Sequence, residues 1–462
     1  MTDHIAVIDI GKTNVKLALV DRCSLNEILV IKRANVVRQE PPWPHFDVEG
    51  HWDFILGGLR DFHASHRVDA ISITTHGASV ALLDKKGELV APILDYEFSD
   101  LDLQTETYDS IRPPFSETGS PRLTGGLNIG AQLFWQFRSD SALKERTHQI
   151  VTYPQYWGAK LTGVTATDVT SLGCHTDLWN PREGAVSSLA ASLNITEKIA
   201  PVRKPSDVLG TILSQVAKQT GLPIETPVYC GIHDSNASLL PYIYTEKPPF
   251  SVISTGTWVV AMSIGGKDIP LNPDLDTLIN VTALGEPAPS ARFMGGREYD
   301  LMTGGLNCTP KKTDLDFVLS NNIMLLPAVV EETGPFKGRR FEWVGSEPEI
   351  GSGKREAAIA LYLALVTAKC LSNIGHDGKI IVEGPFADNF FFLDMLTVAA
   401  TSEVFSALGK TGTSSGAAML ASGPIRARLT KERPVSVPSE LVDHLKIYAE
   451  HWKRSCGINY YD

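Results

Sequence analysis

The sequence has little cysteine, and what it has is scattered. Its six cysteines (Cys23, Cys174, Cys230, Cys308, Cys370 and Cys456) form no C-x-x-C pair. That excludes a disulfide frame or a zinc knot and points to reduced thiols and a cytoplasmic home. Positive charge is also short: 42 Lys and Arg stand against 53 Asp and Glu, a net charge of −11. No electrostatic footprint for nucleic acid exists, so a polyanion must be held by backbone N–H groups, helix N-termini or a metal ion. No apolar run reaches the roughly 18 residues of a membrane span. The strand-like run from Ile5 leaves no room for a signal peptide. Familiar nucleotide and hydrolase motifs are missing too. The Gly-Lys dipeptides at 11–12, 353–354 and 409–410 have Ala6, Pro348 and Val404 where a P-loop requires its first Gly. No G-x-G-x-x-G follows a strand into a helix, and H-E-x-x-H, G-x-S-x-G and the protein-kinase catalytic loop are all absent.

What is present is an ordinary globular composition over 462 residues, enough for two domains. The Pro-rich break Thr245-Glu246-Lys247-Pro248-Pro249 predicts a boundary, with domains at 1–246 and 247–462. Each half opens on the same pattern. Two β-branched runs, Ile5–Ile10 and Val15–Val20, flank Gly11-Lys12-Thr13-Asn14, and the pattern returns from Ser251 to Ile264 around Ser254-Thr255-Gly256-Thr257-Trp258. Both predict hairpins whose Gly and hydroxyl turns let a phosphate approach the backbone. Helices are predicted around Gln132–Arg138, Ala357–Ser372, Phe390–Ala400 and Leu441–His451.

Chemistry concentrates where polar groups interrupt these apolar runs. Asp9 is a carboxylate inside a strand, a costly placement unless it meets a metal or hydrogen-bond donors; a metal-linked role and a structural partner both remain open. Thr74-Thr75-His76-Gly77 ends a strand, so His76 either reaches a ligand at the sheet edge or is a hydrogen-bonded histidine of the fold. Gly231-Ile232-His233-Asp234 sets a carboxylate beside an imidazole, just ahead of a helix-compatible run. A base near a phosphate cradle points to phosphoryl transfer to an alcohol. Cys174-His175-Thr176-Asp177 lacks a second pair at ligand spacing and is read as structural. Val382-Glu383-Gly384-Pro385, running to Asn389, is a strand–turn–helix joint against which a nucleoside can lie.

Taken in order, these stretches resemble the FGGY carbohydrate kinases, a branch of the actin/hexokinase-like ATPases. The resemblance spans most of the chain: Asp9–Asn14, Thr75–Gly77, Gly231–Asp234, Ser254–Trp258, and then Val382–Pro385 and Gly416–Ala418, where the family holds adenosine. It implies an α/β fold of two ribonuclease-H-like domains with an ATP and sugar cleft between them. It implies ATP and Mg²⁺, with Asp234 as general base and Asp9 acting on the metal. ATP is expected at Gly11, Lys12, Thr13, Asn14, Ser254, Thr255, Gly256, Thr257, Gly384, Pro385 and Asn389, and the sugar at His76, Gly77, His233 and Asp234. The chain departs from the family in three places. Lys12 replaces a small residue, adding charge to a phosphate or pointing to solvent. Gly384-Pro385 replaces Gly-Gly, and Leu94-Asp95-Tyr96-Glu97 stands where many members carry Trp-x-Asp-x-Arg. His233-Asp234 with Ser254–Trp258 is most similar to the L-rhamnulose and L-fuculose kinase branch. The implied reaction is phosphorylation of such a ketose. Kinases of another pentulose, a polyol or an aldose are the alternatives, as is a non-catalytic sugar or nucleotide sensor. Expected partners are ATP and a small sugar, with a homodimer as an option and neither nucleic acid nor membrane.

Overall fold

The computed structural model describes residues 3–408, 412–423 and 431–458; Gly409-Lys410 and the start of the charged tail lie outside them. The chain divides into two compact units. The first comprises Met1–Thr245, Ile279–Pro287 and Thr411–Leu429, and the second Glu246–Leu278, Ala288–Lys410 and Thr430–Asp462.

In the first unit, β1 (His4–Ile10) and β2 (Asn14–Asp21) form the expected antiparallel hairpin, with β3 (Glu27–Ala34) beyond it. Every residue of β1 is buried, the polar His4 and Asp9 included, as its otherwise apolar run requires of a central strand. On its other side β1 pairs in parallel with β4 (Ala70–Thr75), reached through the helix α1 (Val48–His66). The sheet continues through β5 (Val208–Thr211) and β6 (Pro227–Tyr229), in the order β5-β6-β4-β1-β2-β3. A short strand, β7 (Ile232–His233), also pairs in parallel with β4. The predicted helix near Gln132 is found as α2 (Ile129–Ser139). The aromatic run forms α3 (Tyr153–Thr162), closed by Gly163 at φ 76°. Then α4 (Asp234–Thr245) begins directly at the end of β7.

The second unit repeats the plan. Its hairpin is β8 (Phe250–Thr255) and β9 (Val259–Ile264), and β8 pairs in parallel with a later strand just as β1 does. With β10 (Thr277–Val281), β11 (Pro287–Phe293), β12 (Lys379–Glu383), β13 (Val404–Leu408) and β14 (Lys431–Pro434), the order is β10-β11-β9-β8-β12-β13-β14. The Ala/Leu-rich helix α5 (Gly353–Asn373) corrects the expectation that no run reaches membrane-span length: by length and composition it could cross a membrane, but 83% of its apolar window is buried in this unit's core. Two more helices, α6 (Phe390–Ala400) and α8 (Ser439–Ser455), pack on that core.

The helix between them in sequence, α7 (Thr413–Ser422), belongs to the first unit. The resemblance puts Gly416–Ala418 beside adenosine; in the structure these residues lie on this helix. Ala417 and Ala418 are fully buried inside the first unit, and the Ser72 hydroxyl donates to the Ala417 carbonyl at 2.6 Å. A Cβ on Gly416 would stand 1.8 Å from the Ala237 carbonyl oxygen, so only glycine lets α7 seat against α4. Gly416→Val is expected to lower the unfolding free energy by about 1–3 kcal/mol or more, the usual cost of overpacking. Urea denaturation checks this, and an unchanged midpoint would show that the helices separate freely.

Candidate active site

Three segments far apart in sequence end at one level of the first sheet. Ile10 faces Thr75 across the β1–β4 pairing, and His233 faces Thr75 across β7–β4, all in parallel. The carboxyl ends of adjacent parallel strands thus present Asp9, His76 and Asp234 together, where α/β sheets hold ligands.

Asp9 is nearly buried, at 8% exposure. Its cross-strand partner is Lys16, whose ammonium lies 3.0 Å from Oδ2 and also 3.3 Å from Glu27. The same oxygen accepts from the hydroxyls of Thr413 and Ser414 at the start of α7, the latter at 3.4 Å. Lys16, Thr413 and Ser414 were not expected from the sequence as partners of Asp9. Register places Lys16 there, and tertiary packing places the other two. Among the described residues no cluster of three His, Cys, Asp or Glu side chains forms a metal cage. One carboxylate flanked by hydroxyls suits Mg²⁺ that arrives on a nucleotide, since Mg²⁺ keeps waters and phosphate oxygens as most of its ligands.

The first turn is closed by a Gly11 N–H to Asn14 carbonyl hydrogen bond of 2.9 Å and braced by Asn35, whose amide donates to the Gly11 carbonyl at 2.8 Å. Thr13 and Asn14 are exposed. The Lys12 ammonium instead pairs with Asp95, and with Glu97 at 3.2 Å.

His76 is buried within a ring of aromatics: Phe46 and Tyr153 with centroids at 5.0 Å, and Tyr96 at 5.3 Å. Its Nδ1 lies 2.8 Å from the Gly77 carbonyl, which only accepts, so Nδ1 carries the proton. Nε2 is then a buried acceptor with no partner among the described residues. Burial lowers the His76 pKa to about 4, so the ring stays neutral near pH 7. Phe46 and Tyr153 carried no functional signal in the sequence, and Tyr96 stood out only as part of the Leu94–Glu97 departure from the family pattern.

His233 is held from behind. Its backbone N–H donates to the Thr170 hydroxyl at 3.0 Å, and Thr170 is itself fixed by the fully buried Asp168. Burial lowers its pKa to about 4 as well. The neutral ring turns Nε2 toward Asp234 Oδ1 at 3.2 Å and leaves Nδ1 buried and unpartnered. Gly77 makes room for this ring: a Cβ there would lie 2.9 Å from His233 Nε2.

Asp234, the first residue of α4, also accepts from the Ser235 backbone N–H at 2.6 Å, again on Oδ1. Loss of water around the carboxyl raises its pKa to about 6; His76 lowers it, Asp9 raises it further and Ser235 lowers it. A carboxylate with this affinity for a proton is a competent general base near neutral pH.

In the second unit, the β8–β9 turn is closed by Gly256 N–H to the Trp258 carbonyl at 2.9 Å, with Gly256 and Thr257 exposed and Ser254 half-buried. Thr255 is buried. Its hydroxyl donates to the Glu383 carbonyl at 2.6 Å and accepts from the Phe386 N–H at 3.1 Å, which welds this turn to the one after β12. Gly384 (φ 84°) is required there, because a Cβ would meet the Thr255 carbonyl at 2.0 Å. Pro385 and Asn389 border a cavity of about 410 Å³, shared with Tyr299, Cys308, Glu356 and Asp388. Gly295-Gly296-Arg297, which reads as irregular in the sequence, starts a helix (Gly295–Thr303) whose Arg297 N–H donates to the Thr257 carbonyl at 3.3 Å.

A family model for the FGGY family of carbohydrate kinases, N-terminal domain, matches residues 4–241, and one for the FGGY C-terminal domain matches 247–430. A solved carbohydrate kinase from Novosphingobium aromaticivorans is 33% identical, with a TM-score of 0.91 over 99% of both chains. Among curated proteins, the L-fuculokinase of Salmonella typhi is 25% identical over 279 residues, 57% of each chain. The rhamnulokinase of Bacillus subtilis is 26% identical over 223 residues, 46% of this chain and 45% of that one. The chain thus matches about half the length of these curated relatives. The fold is the two-domain α/β architecture of sugar kinases of the actin/hexokinase-like type, as the resemblance implies.

The raised Asp234 pKa has a stability consequence. In the unfolded chain this group titrates near 3.8, in the folded chain near 6, so its contribution is favourable below pH 4 and is lost as pH rises through 6. Asp234→Asn is therefore expected to stabilise the protein by on the order of 1–3 kcal/mol at pH 8 and by little at pH 3.5. Denaturant unfolding at both pH values decides; equal effects would place the carboxyl in ordinary solvent.

Proposed function

We propose, from the premise that this chain belongs to the FGGY family of carbohydrate kinases, that it is an ATP-dependent sugar kinase using Asp234 as its general base. The observation that carries this reading is the His233–Asp234 pair: a buried neutral imidazole holding a carboxylate whose pKa is about 6, next to an unused acceptor on His76.

On this reading the sugar binds at the carboxyl ends of β1, β4 and β7. A sugar hydroxyl donates to His76 Nε2, and another faces the unprotonated Asp234. As that oxygen attacks the γ-phosphorus, its proton passes to Asp234 and ADP leaves. Transfer of this kind needs little covalent help from protein, so positioning and charge stabilisation carry the rate. The exposed turns at Thr13-Asn14 and Gly256-Thr257 offer N–H groups and hydroxyls to the phosphates, and the cavity beside Pro385 and Asn389 takes the nucleoside. Mg²⁺ on the nucleotide would supply charge neutralisation, and Asp9 with the hydroxyls of Thr413 and Ser414 would hold it. The neutral His76 and His233 keep positive charge off the base, which preserves its affinity for the proton.

The acceptor we favour is a ketose such as L-rhamnulose or L-fuculose, because the relatives include an L-fuculokinase and a rhamnulokinase. Xylulose kinases also match, so other pentuloses, polyols and aldoses belong in the test. The six free cysteines fit a reducing cytoplasm.

The test is ADP release from Mg-ATP over L-rhamnulose, L-fuculose, L-rhamnose, L-ribulose, D-xylulose, erythritol and glycerol, with L-rhamnulose and L-fuculose as the leading acceptors. One ketose is expected to stand out, with turnover about 10²–10⁴-fold lower in Asp234→Asn. Sugar binding without ADP release would support a sensor instead. In the active enzyme kcat/KM is expected to fall as pH drops through about 6, where Asp234 takes up a proton. A flat profile down to pH 5 would remove Asp234 from the role. Asp9→Asn is expected to raise the Mg²⁺ concentration needed for half-maximal rate, and an unchanged requirement would leave Asp9 as a structural partner of Lys16, Thr413 and Ser414.

A further inference from the structure

We propose that Lys12, although it lies in the first phosphate turn, serves the acceptor sugar and determines which acceptor is taken. Sequence position alone aligns Lys12 with the nucleotide. The geometry points the other way. The side chain leaves the turn and its ammonium pairs with both carboxylates of the Asp95-Tyr96-Glu97 loop, the contact with Glu97 being 3.2 Å. It lies 4.6 Å from the Tyr96 ring centroid and 5.4 Å from that of Phe46. Those two rings are the ones that flank His76, at 5.3 and 5.0 Å. Lys12 therefore belongs to the same cluster as the unused His76 acceptor.

Three features give this placement a chemical meaning. An ammonium has three N–H donors, and the two carboxylates take two, leaving one for an oxygen of a bound sugar. The pairing is anchored: Asp95 is 6% exposed and its backbone N–H donates to the Pro44 carbonyl at 2.9 Å, while its carboxylate also accepts from the Glu97 N–H at 3.3 Å. The aromatic faces beneath hold the cation laterally. A lysine so fixed cannot also swing out to a phosphate without leaving Asp95 buried and unpaired, which is costly. The loop carries no arginine, so Lys12 is the cation of this cluster, supplied from the neighbouring turn. The cluster as a whole presents one donor from Lys12 beside acceptors from Asp95, Glu97 and His76. That is a pattern for reading the hydroxyls of an uncharged polyol, with the remaining donor fixing one oxygen's position.

This inference rests on the sugar-kinase reading, and the experiment separates the two. Wild type, Lys12→Met and Lys12→Arg are compared by steady-state kinetics with the best acceptor, by calorimetric binding of that acceptor, and by calorimetric binding of Mg-ATP. Expected for Lys12→Met is a rise of more than tenfold in acceptor KM and acceptor Kd, with ATP KM and Kd within about twofold of wild type. The preference among acceptors is expected to change, and Lys12→Arg to restore at least part of the affinity. A rise in ATP KM with acceptor KM unchanged would make Lys12 a phosphate ligand and overturn the proposal. So would no change in either, or equal losses in both accompanied by a lowered melting temperature, which mark a bystander and a structural brace respectively. If wild type binds the sugar but releases no ADP, the kinase reading fails while the Kd comparison still decides for or against Lys12. If it binds none of the sugars, both fall.

Discussion

The parallel pairing of β4 with β1 on one side and β7 on the other is the constraint on which the first unit's chemistry depends. Backbone hydrogen bonds set its register, and register sets which side chains share a level. With Ile10 and His233 both opposite Thr75, the residues just before or after them, Asp9, His76 and Asp234, come together at one sheet end. A slip of one residue in either pairing would turn these groups to the opposite face. Burial of all seven residues of β1 makes such a slip expensive, so the core that stabilises the strand also fixes the site.

Charge is then distributed unequally between the two carboxylates. Asp9 is compensated by Lys16 across the hairpin and by two hydroxyls from α7. Asp234 has only neutral donors, His233 and Ser235, and loses water without gaining a cation. Two aspartates on one sheet end therefore stand in different electrostatic surroundings. The one paired with a cation differs in this from the one of raised pKa, and the proposed division of labour between them follows that difference. Burial of both imidazoles keeps them neutral, so neither reverses this difference.

Glycine solves the packing problem at each place where backbone must meet backbone or ring. Gly77 admits the His233 ring, Gly384 admits the Thr255 carbonyl and Gly416 admits α4. The same device thus serves the His233 ring, the turn beside the Pro385 cavity and the helix that delivers Thr413 and Ser414 to Asp9. Each is a contact between segments remote in sequence, and at Gly384 and Gly416 a single methyl group would collide with a backbone carbonyl.

The sequence by itself determined the two hairpins, because alternating β-branched runs around Gly and hydroxyl turns have few other conformations open to them. It also determined the strand-end positions of Asp9, His76 and Asp234, since a polar residue interrupting an apolar run is conspicuous. It did not determine what those groups touch. The Asp9–Thr413 and Asp9–Ser414 contacts join residues some 400 positions apart, and a helix start rich in hydroxyls reads the same wherever it packs. Phe46, Tyr96 and Tyr153 were invisible as a ring around His76, because aromatic residues are ordinary core material until tertiary structure arranges them. Lys12 shows the limit most clearly. Its place in the chain is the first Gly and hydroxyl turn, while a flexible four-carbon side chain lets the ammonium settle wherever carboxylates lie, and only the folded position of Asp95 and Glu97 decided where that is.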